Sequence, residues 1–117
     1  MLCDRVQIEQ IFVNLLRNAF DALEFVAPGD RRVAVKTERS GGQVCVHVED
    51  CGKGLNADEL RLLFEPFFTT KPHGMGMGLA ISRSIIEAHG GRLWATPNLL
   101  AGITVHFELP AHVEDSA

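Results

Sequence analysis

The sequence predicts a layered α+β domain, and three observations carry that prediction. Two long segments repeat apolar residues at helical spacing, one near the start of the chain and one in its third quarter. Four shorter segments alternate apolar and polar residues, and they come as two adjacent pairs. The resulting order is helix, two strands, loop, short helix, long loop, helix, two strands, which does not fit a regular βαβ array.

Residues 5–25 read as one amphipathic helix. At about 100° per residue, Ile8, Ile11, Phe12, Leu15, Leu16, Ala19, Ala22 and Leu23 share one broad face. Gln7, Gln10, Asn14, Arg17, Asn18 and Asp21 fall in an opposite polar sector. Asp4 stands where an N-cap is expected, and Ala27-Pro28-Gly29-Asp30 ends the helix with a turn. Val33, Val35 and Thr37 then share a strand face, as do Val44, Val46 and Val48 after the Ser40-Gly41-Gly42 turn. Asp50-Cys51-Gly52-Lys53-Gly54 breaks the alternation and reads as a loop. A short helix over 56–64 is expected with Asn56 as its cap, followed by an irregular stretch over 65–77. The second long helix is placed from Gly78 through Ile81, Ile85 and Ile86 to Ala88, stopped by Gly90-Gly91. Strands over 92–96 and 103–109 close the domain, the latter with Ile103, Val105, Phe107 and Leu109 on one side. The domain is assigned to 1–110 and a polar tail to 111–117, with the whole read as a piece of a longer protein.

A chain of 117 residues fits one domain with a small core. Its net charge of −4 argues against a nucleic-acid surface but leaves room for a local phosphate pocket built from backbone amides or a cation. Cys3, Cys45 and Cys51 form no CxxC pair and read as reduced thiols of a cytoplasmic protein. No apolar run approaches a membrane span, and no basic-then-apolar leader is visible.

Four constellations stand out. Asn14 and Asn18, four apart, project their amides to one side of the first helix; such residues suit a wet helix face, but an amide oxygen also suits Mg²⁺. The Asp50-x-Gly52-x-Gly54 loop reads equally as a plain turn or as a carboxylate awaiting an exocyclic amine beside backbone that can approach a flat base. It is not a P-loop, since no Ser or Thr follows Lys53. Gly74, Gly76 and Gly78 run into a helix start, where unpaired amides can hold phosphate; their spacing fails the dinucleotide pattern. Finally, Leu63-Phe64-Glu65-Pro66-Phe67-Phe68-Thr69-Thr70-Lys71 places three phenylalanines in a long loop that could be pinned to the core or act as a lid, with Lys71 and His73 reaching toward phosphate.

Taken in chain order, the four constellations resemble the N, G1, F and G2 boxes of the sensor histidine kinase catalytic domain, of the GHKL superfamily with gyrase, Hsp90 and MutL. The matching stretches are QIFVNLLRNAFDAL, DCGKG, LFEPFFTTK and GMGMGLAIS, and the likeness extends over about residues 4–110, through the closing strand GITVHFELP. The resemblance implies a two-layer sandwich, the Bergerat ATP-binding fold, with a mixed, mostly antiparallel sheet on helices. It implies that ATP and Mg²⁺ are bound: Asn18 on the metal, Asn14 beside it near the phosphates, and Asp50 on the adenine amine with Thr104 supporting it directly or through water. Gly52 and Gly54 would shape the base pocket. Gly74, Gly76 and Gly78 would offer amides to the triphosphate on a lid hinged by Phe64 and Phe67, with Lys71 at the terminal phosphate.

Hydrolysing members of the superfamily carry a glutamate where this chain has Asn14, an amide without useful basicity. That favours a kinase over an ATPase clamp; the retained Asp50 and glycine boxes speak against a non-catalytic module of the same fold, and a related serine-directed protein kinase stays open beside the histidine kinase. No basic residue follows Asn18 closely, so charge neutralisation falls to Arg17, Lys71, the metal or a partner. None of His47, His73, His89, His106 and His112 sits on a helical hairpin of the phosphoacceptor kind. By resemblance the acceptor lies on a separate dimerisation domain of the parent protein, with a response regulator downstream, and this domain itself touches neither nucleic acid nor membrane.

Overall fold

The structure, a computed structural model, describes residues 5–24, 26–52, 54–65, 78–99 and 101–110. Its elements are α1 (Arg5–Asp21), β1 (Val33–Ser40), β2 (Gln43–Asp50), α2 (Ala57–Leu62), α3 (Gly78–Ala88), β3 (Arg92–Pro97) and β4 (Ile103–Pro110), with a single 3₁₀ turn at Pro28–Asp30. The four strands form one sheet in the order β1-β2-β4-β3. The fold is α+β, two layers, as expected. Where the resemblance implied a mixed sheet, all three described pairings are antiparallel.

Periodicity explains which face is covered. Ile11, Leu15 and Ala19 of α1 and Leu79 and Ile86 of α3 are buried against Val48, Leu93, Val105, Phe107 and Leu109 of the sheet. Successive strand residues point to opposite faces, so one set of alternate positions makes the core and the other makes a polar outer face. That outer face carries a cavity of about 190 Å³ lined by Lys36, His47, Glu49, Thr104 and His106. Val35 shares the inner face but stays 43% exposed, because among the described helices α1 packs chiefly on β2 and α3 on β3 and β4, while β1 lies at the sheet edge. Ile81 is likewise exposed on the solvent side of α3, while Ile85 is half-buried and Ile86 fully buried.

Two boundaries differ from expectation. The regular part of α1 stops at Asp21, short of residue 25, because the chain tightens: the Leu23 and Glu24 amides donate to the Phe20 and Asp21 carbonyls three residues back. α2 ends at Leu62, two residues short of 64, but its start is as anticipated, with Asn56 as the cap. Asn56 Oδ1 accepts from the Glu59 amide at 2.7 Å and Glu59 Oε1 accepts from the Asn56 amide at 3.0 Å, a reciprocal capping box. Asp4, the expected cap of α1, and the tail over 111–117 lie outside the described residues.

Candidate functional site

The site assembles where the end of β2, the start of β4 and the last turn of α1 meet. Asp50 is the final residue of β2 and only 5% exposed. Its Oδ1 accepts the Gly52 amide at 2.9 Å and, at 3.5 Å, the Ile103 amide from β4. Burial pushes the carboxyl above its ordinary range; the two amide donors oppose that, and neighbouring Glu49 adds to the rise. A carboxylate taken out of water in this way is costly unless something compensates it.

Glycine is required at two positions here by close approach. A Cβ on Gly52 would collide with the carbonyl and Cβ of Ala22, so the loop after Asp50 lies directly on the turn that ends α1. Ala22 in turn donates its amide to the Asn18 carbonyl at 3.0 Å, which places Asn18 one helical turn from that contact. Gly102 has φ +83°, and a Cβ there would meet both the carbonyl and the carboxylate of Asp50. Gly54, also left-handed at φ +76°, lies against the Gly102 backbone. Gly54, Leu55, Asn56, Glu59, Pro97, Asn98, Ala101 and Gly102 line an open cavity of about 420 Å³ at this corner.

Asn14 and Asn18 are half-buried, whereas Gln7, Gln10, Arg17 and Asp21 of the same polar sector are exposed. The two asparagines are therefore less exposed than their neighbours on that sector. Phe64 is packed against the core, with the Arg83 guanidinium of α3 5.6 Å from its ring centre. Gly78 opens α3 as expected. Lys71, His73, Gly74, Gly76 and Phe67 lie outside the described residues.

Thr104 sits on the other face of β4 from the inward residues. β4 turns Val105, Phe107 and Leu109 inward, so Thr104 faces the outer side, opposite Glu49 of β2. Its hydroxyl donates to Asn98 Oδ1, and Asn98 Nδ2 donates to the Asp50 carbonyl at 2.7 Å. Thr104 thus reaches the Asp50 main chain through a protein side chain rather than touching the carboxylate. Sequence reasoning missed Asn98 and used Gly102 only as part of a strand motif. The Pro97-Asn98 pair is a turn signal, but which carbonyl an Asn in a turn will hold depends on contacts remote in sequence.

Residues 3–113 match the sequence family described as histidine kinase-, DNA gyrase B- and HSP90-like ATPase. The chain belongs to that family. Among curated relatives it is 50% identical to the sensor protein FixL of Bradyrhizobium diazoefficiens, over 98% of this chain and 23% of that protein. It is 39% identical to the sensor protein TdiS of Thauera aromatica, over 93% of this chain and 20% of that one. Among solved structures, the catalytic domain of histidine kinase ThkA superposes with a TM-score of 0.82 at 35% identity, covering 96% of this chain and 71% of that chain. Full-length ShkA in complex with AMPPNP gives 0.72 at 31% identity, over 89% and 21%. The chain is a histidine kinase ATP-binding catalytic domain of the GHKL superfamily, and it spans about a fifth of the length of the curated sensor proteins it matches. No described helix of this kinase domain is long and apolar enough to cross a membrane.

Proposed function

We propose that this kinase domain binds Mg-ATP and donates the γ-phosphate to a histidine on a separate dimerisation domain of its parent protein, from which a response regulator takes it. The observation that carries the reading is Asp50: a buried carboxylate, held by two amides on one oxygen, at the corner where β2, β4 and α1 converge. Such a group is a stability liability in the empty protein, and an exocyclic amine of adenine would supply the missing donor. Gly52 and Gly54 shape the base pocket beside it, with Thr104 acting through Asn98.

The half-buried carboxamides of Asn14 and Asn18 fit the phosphate end. An amide oxygen is a hard neutral ligand, and magnesium commonly completes its shell with phosphates and water, so Asn18 is assigned to the metal and Asn14 to the phosphates beside it. When bound, the ion supplies neutralisation of the phosphate charge. Gly74, Gly76 and Gly78 are assigned to the triphosphate through their amides, and Lys71 to the terminal phosphate.

The reaction breaks the bond from the γ-phosphorus to the β–γ bridging oxygen and forms one to the attacking imidazole nitrogen, releasing ADP. The chain contributes positioning and charge stabilisation. Asn14 offers no general base for water, which keeps hydrolysis from competing. The dimerisation domain, response regulator and a cytoplasmic setting belong to the same proposal, as does the absence of nucleic-acid and membrane contact by this domain. Incubating the chain with γ-labelled ATP tests it. The nucleotide should bind and the chain should stay unlabelled, with label appearing on the dimerisation domain once that domain is added; stoichiometric, base-stable label on the chain alone would overturn the assignment.

A further inference from the structure

Asn98, in the connection between β3 and β4, makes more contacts than a turn residue requires. Its amide nitrogen donates to the Asp50 carbonyl at 2.7 Å and to the Ala101 carbonyl at 3.1 Å. Its backbone amide donates to the Gly102 carbonyl at 3.0 Å, and its side-chain oxygen accepts the Thr104 hydroxyl. The orientation of the side chain is forced, because two carbonyls can only accept and so must face the nitrogen; Thr104 is then the donor to the oxygen. One half-buried side chain thereby ties together the end of β2, the β3–β4 connection and the start of β4.

The consequence falls on the Asp50 carboxylate. Of its two amide donors, Gly52 belongs to the same loop and is close, while Ile103 comes from β4 and is stretched to 3.5 Å. The Ile103 contact depends on how tightly the start of β4 is held to the end of β2. Gly102 and Asp50 are already in contact there, and a Cβ on Gly102 would meet both the Asp50 carbonyl and its carboxylate. Asn98 is the side chain that bolts that junction: it fixes the Asp50 peptide plane on one side and, through Thr104, the β4 backbone on the other.

We propose that Asn98 is a positioning residue for base recognition, orienting the Asp50 carboxylate through its main chain, with Thr104 orienting the Asn98 amide. The inference rests on the reading that Asp50 accepts the adenine amine, and it deepens that reading by naming what sets the selectivity. Asn98 itself touches no substrate in this scheme. Its removal should lower discrimination for the amine while leaving the phosphate end of the site as it was.

Calorimetric titration with the Mg²⁺ complexes of a non-hydrolysable ATP analogue and of its purine-riboside counterpart, which lacks the 6-amino group, separates the possibilities. The wild-type chain should prefer the amine-bearing nucleotide by about tenfold or more, the value of one charge-assisted hydrogen bond. Asn98→Ala should cut that preference to roughly threefold or less, with affinity for the amine-free nucleotide changed by less than about twofold. Thr104→Val should lower the preference partway and Thr104→Ser should restore it. Equal weakening of both nucleotides by Asn98→Ala, or an intact preference, would overturn the proposal. Should Asn98→Ala not melt cooperatively, the Thr104→Val and Thr104→Ser pair decides alone. A wild-type chain without preference, together with an Asp50→Asn variant that behaves identically, would instead sink the Asp50 reading itself.

Discussion

Substituting Asp50 by asparagine should push stability and function in opposite directions. The carboxyl is buried and its proton affinity raised chiefly by desolvation. A folded-state pKa above the unfolded value of 3.8 means that the associated stability is present below about pH 4 and is lost as pH rises through the folded pKa; at neutral pH the ionised group is a net cost. Asparagine removes the charge, keeps an oxygen for the Gly52 and Ile103 amides, and occupies the same volume. The empty variant should therefore melt at or above the wild-type temperature, and its stability should lose the acid-side rise.

Nucleotide binding should fail in the same variant, because an amide nitrogen would face the adenine amine, donor against donor. Losing a charge-assisted hydrogen bond costs about 1.5–3 kcal/mol, or about 10- to 150-fold in affinity. At ligand a hundredfold above the wild-type Kd, binding stabilises the wild type by about 2.7 kcal/mol. At about 4 °C per kcal/mol for a chain of this size, that is a rise of about 11 °C. A hundredfold weaker variant at the same concentration gains only about 0.4 kcal/mol, or about 2 °C. Thermal unfolding of both proteins with and without Mg²⁺ and a non-hydrolysable ATP analogue measures all four numbers. An Asp50→Asn protein that keeps the full ligand shift, or that melts well below the wild type when empty, would refute the reasoning.

Gly102→Ala should destabilise the empty domain by about 1–3 kcal/mol, since the new methyl meets the Asp50 main chain at a left-handed backbone position; urea unfolding measures it, and a neutral result would mean that the β2–β4 junction is looser than described. Asn18→Ala should leave nucleotide binding without metal near wild type but abolish most of the gain on adding Mg²⁺, read by titration in EDTA and in Mg²⁺; a retained metal effect would move the metal ligand elsewhere. On the outer sheet face, His47 and His106 place their Nδ1 atoms 2.7 Å apart, with Glu38 on the far nitrogen of His47 and Thr96 on that of His106, so one proton at most fits between the rings. Desolvation, then the proximity of His47, holds the His106 pKa below its usual 6.5, so its stabilising contribution is full above about pH 6.5 and is lost as pH falls through the folded value; His106→Gln should flatten the melting-temperature profile in that window.

Much of this architecture is legible from period alone. Ile11, Leu15 and Ala19 mark the buried side of α1, and Val105, Phe107 and Leu109 that of β4, because a helix or strand shows its inner face in its own sequence. The Asn56 cap is equally local, its partner Glu59 being three residues away. What escapes is pairing between remote segments. The collision-tight fit of Gly52 on Ala22 and the Asn98 bond to Asp50 span 30 and 48 residues, and no local pattern encodes them. Thr104 is instructive in a different way. Alternation in β4 already sends it to the face opposite Ile103 and Val105, but its link to Asp50 through Asn98 crosses to another segment and leaves no local trace.

The residues that define the site are those that a sequence chosen for stability alone would not keep. Asp50 is buried with its charged form disfavoured, Gly102 occupies a strained-handed backbone position where the unfolded chain has most freedom to lose, and two carboxamides sit half-buried on a helix whose interior prefers other side chains. Under the proposed function a nucleotide would bring a group to each: an amine to Asp50, a flat ring against glycine backbone, a cation and phosphates to Asn14 and Asn18. Conflicts of this kind among the residues of a candidate site are what a binding site built into a fold should look like. The same logic explains why Asn98 matters without touching ligand, since a carboxylate kept at a cost is useful only if its second oxygen is held in one direction.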